Sequence, residues 1–145
     1  MINTGYRPSE GAALLPAHIH LEGTVPFIQI LPDKREVKTK TSKRVIPLTG
    51  VSLEAMREGR NGFPRYRDNP GLSATINSFL RENKLMETDD HVLYSLRHSF
   101  EDRLLAAGVD ERIRRDLMGH SLGRVRYGSG ASLEMAHDLI QRVAF

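Results

Sequence analysis

The spacing of apolar residues changes halfway along this 145-residue chain, and the change limits the folds that the chain can form. Between His18 and Leu48, short apolar runs are separated by turn residues, which is typical of β-strands. From Ser73 onward, apolar residues recur at steps of three and four, which is typical of helices with one buried face. The sequence therefore predicts an α+β fold, mainly helical, in which a small antiparallel sheet of about three strands packs against a helical bundle.

Capping and turn residues set the expected boundaries. Pro8 suits the first turn of a helix, where its missing N–H has no partner to lose. Ser73 and Asp110 suit helix starts, while Gly108 and Gly119 suit helix ends. The strand-like segments are 18–21, 25–31, 37–40 and 44–48, the predicted helices are 8–15, 52–58, 73–83, 95–108, 110–119 and 133–143, and 59–71 is a predicted loop.

Length and composition narrow the class of protein. A chain of 145 residues is long enough for one hydrophobic core, so we expect a single domain over 1–145. No apolar run approaches the roughly 20 residues that a membrane span needs, and no secretory leader precedes Gly5. The absence of cysteine excludes disulfides and thiolate zinc ligands. These features predict a cytoplasmic protein with no membrane partner.

Positive charge is concentrated in the first half of the chain. Lys and Arg outnumber Asp and Glu by 11 to 7 over residues 1–72, whereas the counts over 73–145 are 10 and 11. Lys38, Lys43 and Arg44 belong to the run 34–44 that holds most of the excess. Such a run is either a solvated hairpin or a surface for a polyanion. If the partner is DNA, these three side chains are candidate contacts to it.

Five segments carry the side chains that phosphate chemistry uses. They are TGYRPSE at 4–10, KTKTSKRVIPL at 38–48, YSLRHSF at 94–100, LMGHS at 117–121 and RYG at 126–128. In these segments, and in their order, the chain resembles the catalytic domain of the tyrosine recombinases, the phage-integrase family. The resemblance covers nearly the whole chain. It implies site-specific DNA recombination or integration, by cleaving and rejoining strands through a 3′-phosphotyrosyl intermediate.

The resemblance also implies which side chains bind the phosphate and which one attacks it. Arg7 and Arg97 match the two arginines of the family that bind the phosphate, and Tyr127 matches the nucleophile. His120 matches the histidine that hydrogen-bonds the phosphate or exchanges a proton with the nucleophile. Tyr94 occupies the position of another phosphate ligand.

A lysine of the family's β-hairpin acts as the general acid that protonates the leaving 5′ oxygen. Lys40 is the better match, because its spacing to Ile46 and Pro47 resembles that hairpin. Lys38 is the rival, since residues two apart on a strand face the same side. Glu10, in the first motif, is expected to orient Arg7 or to cap its helix.

Phosphate chemistry explains this choice of residue types. Attack on a phosphodiester adds negative charge to the nonbridging oxygens, and planar guanidinium groups match phosphate geometry. Tyrosine has an ordinary pKa of about 10, so Tyr127 needs cationic surroundings and a proton acceptor to act as a nucleophile. Because the phosphotyrosyl ester retains the phosphodiester linkage, rejoining needs no ATP. The resemblance implies no metal ion and no organic cofactor.

Two positions depart from the family pattern. Histidine is usual three positions before the second arginine, but Tyr94 stands there, which donates a hydrogen bond and carries no positive charge. Tyr127 follows His120 by seven residues, a shorter step than is usual. We therefore expect the loop through Gly123 to be tight, or to rearrange on DNA.

The expected partner is double-stranded DNA, with a homotetramer in the recombination synapse and a monomer when free. The family's N-terminal DNA-clamping domain has no counterpart in this sequence, so an inactive integrase fragment is one alternative. A non-catalytic DNA-binding module is another, because 95–108 and 110–119 also read as a helix-turn-helix.

Overall fold

The computed structural model describes residues 1–31, 43–121, 123 and 128–145. Within them the chain forms six α-helices and a three-stranded antiparallel sheet, which confirms the predicted α+β class. The strand-like segment 37–40 lies outside the described residues. The elements are α1 (Pro8–Ala12), a 3₁₀ turn (Pro16–His18), β1 (Ile19–His20), β2 (Phe27–Ile30), β3 (Arg44–Pro47), α2 (Gly50–Glu58), α3 (Leu72–Glu82), α4 (Ser95–Ala106), α5 (Glu111–Met118) and α6 (Leu133–Gln141).

The strands lie in the order β1-β2-β3, so each pairs with its neighbour along the chain. Ile28 pairs with Ile46, and Ile30 pairs with Arg44. Because side chains alternate across a strand, Ile28, Ile30 and Ile46 share one face, and all three are buried. That face packs against the helices, with α5 and α6 lying on β3.

One hydrophobic core joins the sheet to α4, α5 and α6. Phe100 and Leu104 of α4, Met118 of α5 and Ile140 of α6 are all fully buried in it. The step of four residues places Phe100 and Leu104 on one face of α4. Because Phe100 lies in the first half of α4 and Met118 ends α5, the start of one helix meets the end of the other, and this junction forms the candidate site.

Several helix boundaries differ from the predictions by one to three residues; α1 ends at Ala12 rather than at residue 15, and α2 begins at Gly50 rather than at residue 52. Helix α3 begins at Leu72 with Gly71 as its N-cap, so the assignment of Ser73 as the cap is wrong. The Asn69 side chain accepts a hydrogen bond from the Gly71 N–H at 2.8 Å and shapes this turn instead. Asp110 caps α5 as predicted, by accepting from the Arg112 N–H at 2.8 Å.

The chain termini meet at the far end of α4. Asn3 accepts a hydrogen bond from the Phe145 N–H at 3.3 Å, and the Arg103 guanidinium donates to the carbonyls of Ile2 and Val143. Helix α6 ends at Gln141 rather than at Val143, and the Val143 N–H bonds the Ile140 carbonyl at 3.0 Å in a tighter final turn. In residues 1–31, 43–121 and 128–145, none of the helices has the length and apolar character of a membrane span.

Candidate active site

Arg97 ties together three parts of the chain at the junction of α4 and α5. It lies in the first turn of α4 and is only 1% exposed. Its guanidinium donates to the backbone carbonyls of Gly5 and Met118, and to Nε2 of His120 at 2.9 Å. The first, third and fourth sequence motifs therefore meet around one side chain.

Two glycines of these motifs allow that close approach. Gly5 and Gly119 have φ values of 58° and 67°, in the left-handed region that favours glycine. A Cβ on Gly5 would lie 2.6 Å from the Met118 sulfur and 2.7 Å from the Phe100 ring. A Cβ on Gly119 would lie 2.6 Å from a terminal nitrogen of Arg44. The glycines in T-G-x-R and L-G-H are thus required by conformation and by space.

Glu10 orients Arg7. One carboxylate oxygen accepts from the Arg7 guanidinium at 2.8 Å, and the other accepts from the Arg7 backbone N–H at 2.7 Å. The expectation that Glu10 orients Arg7 or caps α1 is therefore met in both respects. The Arg7 side chain remains 36% exposed, so the charged group that Glu10 orients is accessible from solvent.

Arg44, a predicted DNA contact, lies inside the site rather than on the outer surface. Its side chain is 6% exposed, and its two terminal nitrogens donate to the Glu10 carboxylate at 3.1 and 2.7 Å. Its Nε donates to the Leu117 carbonyl at 2.9 Å. We therefore assign Arg44 to positioning Glu10. A sequence signal for this existed, because Arg44 precedes the buried Ile46 by two and so shares its side of β3.

Three arginines, Arg7, Arg44 and Arg97, lie close to the Glu10 carboxylate. Burial raises the pKa of Glu10, but hydrogen bonding and charge from Arg44 and then Arg7 outweigh it, so the pKa is lower than usual. Burial lowers the pKa of Arg97, and the positive charge of Arg7 lowers it further. Since arginine stays protonated in proteins, this cluster carries excess positive charge.

Arg7 and Tyr94 line one cleft of about 430 Å³, between α1, the start of α3 and the start of α4. Tyr94 is the N-cap residue of α4 and is 37% exposed. Its ring meets the His98 ring edge-on, with 5.2 Å between centroids. The cleft therefore opens onto one of the predicted phosphate-binding arginines and the tyrosine that replaces the usual histidine.

His120 is held as a neutral ring. Burial lowers its pKa, and the adjacent Arg97 charge lowers it further, against a smaller opposing effect of Glu101. Arginine has no acceptor, so His120 Nε2 accepts the bond from Arg97, and the ring hydrogen sits on Nδ1. Nδ1 lies 4.0 Å from a carboxylate oxygen of Glu101. His120 thus presents a donor, rather than a free lone pair, to a group that enters the site.

The lowered pKa of His120 predicts a pH effect on stability. The unfolded state binds a proton near the ordinary histidine pKa of about 6.5, whereas the folded state binds it only at lower pH. The free energy of unfolding should therefore fall as pH drops through that window. Urea unfolding of the wild type and of His120→Gln tests this, since glutamine still accepts from Arg97 but does not titrate. Parallel pH dependence in the two proteins would contradict it.

Of the remaining predicted site residues, the structure describes only Lys43. Lys38, Lys40 and Tyr127 lie outside the described residues. Lys43 is exposed and immediately precedes β3. Gly123 and Gly128 are the described residues nearest to Tyr127 in sequence on its two sides. Over the described ranges, no set of three histidine or carboxylate side chains is arranged to hold a metal ion.

The chain is similar to a curated Escherichia coli protein described as a probable site-specific recombinase in the afa region. The two are 26% identical over 133 residues, which cover 81% of this chain and 54% of that protein. The chain thus spans about half the length of this relative. No family model matches the chain, and no solved structure matches it. The similarity supports a relationship to site-specific recombinases and, in general terms, to proteins of DNA recombination.

Proposed function

We propose that this chain cleaves and rejoins DNA strands in site-specific recombination, with Tyr127 as the nucleophile. The observation that carries the proposal is the contact of Arg97 with His120, beside an Arg7 held by Glu10. Residues from motifs 4–10, 94–100 and 117–121 meet there, although as many as 113 residues separate Arg7 from His120 in sequence. The similarity to a probable site-specific recombinase points to the same class of activity.

The charge of the cluster suits a phosphodiester. Arg7, Arg44 and Arg97 lie around the Glu10 carboxylate, and the pKa of Arg97 is lowered by burial and by repulsion from Arg7. A phosphate in the adjacent cleft would relieve that repulsion, and a transition state with more negative charge would relieve it further. Fixed positive groups that favour the transition state over the ground state are the main way in which such sites accelerate a reaction.

In the proposed reaction, the Tyr127 oxygen attacks phosphorus and the bond from phosphorus to the 5′ oxygen breaks. Lys40, or its rival Lys38, gives a proton to the leaving 5′ oxygen, and the tyrosine proton passes to solvent water. The DNA is left with a 3′-phosphotyrosyl ester and a free 5′ hydroxyl. Attack by the 5′ hydroxyl of another strand reverses the chemistry and restores the tyrosine.

Each described residue has a distinct proposed role in this step. Arg7 reaches the phosphate directly, because its guanidinium is exposed and Glu10 fixes its direction. His120 donates from Nδ1 to a nonbridging oxygen, since Arg97 occupies its Nε2. Arg97 is buried behind His120, adds positive charge to the site and donates a hydrogen bond to Nε2 of His120. Tyr94 donates its hydroxyl from the wall of the cleft.

Covalent capture on nicked DNA tests the proposal. The substrate is a pool of duplexes of randomised sequence, each nicked a few nucleotides beyond the cleavage position, so that the released fragment diffuses away and the adduct is trapped. We expect an adduct that survives denaturation and maps by mass spectrometry to the peptide containing Tyr127. We expect Tyr127→Phe to bind the same pool and to give no adduct. An adduct of equal yield in Tyr127→Phe, or none in wild type that binds the pool, would refute the proposal.

The non-catalytic alternative uses α4 and α5 as a helix-turn-helix. That module needs outward side chains on its second helix to read DNA. The three arginines of α5 bond back to the protein instead: Arg112 to the Gly128 carbonyl, Arg114 to the Val109 carbonyl and Arg115 to the Ser121 carbonyl. These contacts favour the catalytic proposal. We propose duplex DNA as the partner and a synapse of four protomers as the working assembly.

A further inference from the structure

We propose that Arg112 and Arg115 of α5 are positioning residues that fix both ends of the segment carrying Tyr127. The expected effect of these arginines on DNA cleavage rests on the proposed function. Their anchoring of the chain beside Tyr127 does not. Neither the five sequence motifs nor the similarity to the recombinase singles out these two arginines.

The contacts of α5 meet the chain on both sides of Tyr127. Arg115 donates from one terminal nitrogen to the Ser121 carbonyl at 2.9 Å, and Arg112 donates from a terminal nitrogen to the Gly128 carbonyl at 2.8 Å. Gly128 follows Tyr127 directly in sequence. A bond to its carbonyl therefore restricts where the chain leaves the nucleophile.

The two anchors lie close together because of helix geometry. Residues three apart occupy the same side of a helix, about 4.5 Å from each other along its axis. Ser121, three residues beyond the end of α5, and Gly128 thus bond side chains on the same side of this helix. The chain still lies close to α5 at Gly130. A Cβ on this glycine would be 3.3 Å from the Asp116 carboxylate and 3.9 Å from the Arg112 guanidinium. Helix α5 thus supports both ends of a short connection.

Arginine suits this role better than lysine. Its planar group presents several donors in fixed directions, so that one side chain bonds two acceptors at once. Arg115 shows this, because its Nε donates to Glu111 at 2.8 Å while a terminal nitrogen donates to Ser121. The Glu111 contact lies one turn away on α5 and orients the guanidinium toward the Ser121 carbonyl.

Direct contact with DNA phosphates is the competing role for these arginines, and salt dependence separates the two. A residue that contacts a phosphate contributes about one unit to the slope of log affinity against log salt. A residue that only holds the Tyr127 segment leaves that slope unchanged and lowers the rate of cleavage on bound DNA. Misplacing a reacting group by about 1 Å lowers a rate by as much as about a hundredfold.

The first test measures adduct formation at saturating DNA for Arg112→Ala, Arg115→Ala and Arg112→Lys. We expect each rate to fall by about tenfold or more, with the salt slope of binding unchanged. The matched control is Arg114→Ala, on the same helix, whose Nε bonds the Val109 carbonyl at 3.0 Å instead of the Tyr127 segment. It should keep the wild-type rate. Rates equal to wild type in the Arg112 and Arg115 variants, or a slope reduced by about one unit, would overturn the inference.

The second test needs no activity and separates this inference from the proposed function. Limited trypsin digestion, followed by mass spectrometry, measures cleavage after Arg124 and Arg126 relative to cleavage elsewhere. We expect the Arg112→Ala and Arg115→Ala variants to be cut faster there, while Arg114→Ala matches wild type. Unchanged cleavage overturns the anchoring role. Faster cleavage in a protein that never forms an adduct supports the anchoring role and refutes only the catalytic proposal.

Discussion

Replacing Arg97 with alanine is expected to abolish covalent adduct formation and to lower the free energy of unfolding by about 3 kcal/mol or more. The side chain is 1% exposed and satisfies the Gly5 carbonyl, the Met118 carbonyl and Nε2 of His120. Its removal leaves the two backbone carbonyls unpaired inside the protein, each at a cost of about 1–3 kcal/mol. It also frees His120 from the contact that sets its orientation. Urea unfolding and the capture assay on nicked DNA measure the two effects.

Arg103→Ala is the matched control for this prediction. Arg103 lies on the same helix, and burial lowers its pKa as it does for Arg97. It donates to the carbonyls of Ile2 and Val143, at the other end of α4 from His120. Its loss should destabilise the fold while leaving the adduct rate of the folded fraction near that of wild type. Arg103→Ala should lose activity only in proportion to its unfolded fraction. The same result for Arg97→Ala would show that Arg97 has a purely structural role.

The sequence predicts the parts of this fold that depend on local chemistry. Asp110 and Gly119 mark the two ends of α5 because a carboxylate that accepts backbone N–H groups and a residue at positive φ are local requirements. The burial of Ile28, Ile30 and Ile46 follows from the two-residue repeat of strands. These features need no knowledge of the rest of the chain.

Features that depend on distant partners could not be predicted in the same way. The carbonyl of Val143, just beyond the end of α6, bonds Arg103, which lies about 40 residues earlier in sequence. The start of α3 lies one residue before Ser73, where the Asn69 side chain shapes the preceding turn. Both features involve a side chain outside the helix concerned, and the spacing of apolar residues carries no information about such contacts.

In the candidate site, too, some features could be predicted from local sequence and others depend on distant partners. The motifs predict that Arg7, Arg97 and His120 act together, and the structure brings Arg97 and His120 into contact. They do not distinguish an exposed arginine from a buried one, and Arg44 in the basic run proves to be 6% exposed. Charge counts treat every arginine as a potential DNA contact. The alternation of side chains along β3 places Arg44 on the side of the buried Ile46, but only the structure shows that Glu10 is its partner there.

Replacing Glu10 with alanine is expected to destabilise the fold by about 3–5 kcal/mol near neutral pH, because it removes the carboxylate that accepts from both terminal nitrogens of the buried Arg44. Arg7 also loses the two contacts that orient it, so adduct formation by the folded fraction should fall by about tenfold or more. Because the pKa of folded Glu10 is lowered, its contribution to stability is present above the ordinary pKa of about 4.3. That contribution is lost as pH falls through the folded pKa. The difference between wild type and Glu10→Ala should therefore shrink in acid.

A double-mutant cycle with Arg44→Met separates the charge pair from general packing. Methionine fills much of the same volume without charge, so Arg44→Met alone leaves Glu10 with Arg7 as its main partner. Glu10→Ala alone removes the carboxylate that two nitrogens of the buried Arg44 bond. Replacing both removes the buried pair, and well-packed apolar replacements of such pairs are often neutral in stability. We therefore expect the double variant to be more stable than Glu10→Ala but to remain slow in adduct formation, because Arg7 still lacks its orienting carboxylate. If the loss of stability in the double variant equalled the sum of the losses in the two single variants, Glu10 and Arg44 would not be coupled. If the double variant cleaved DNA at the wild-type rate, Arg7 would need no orientation by Glu10.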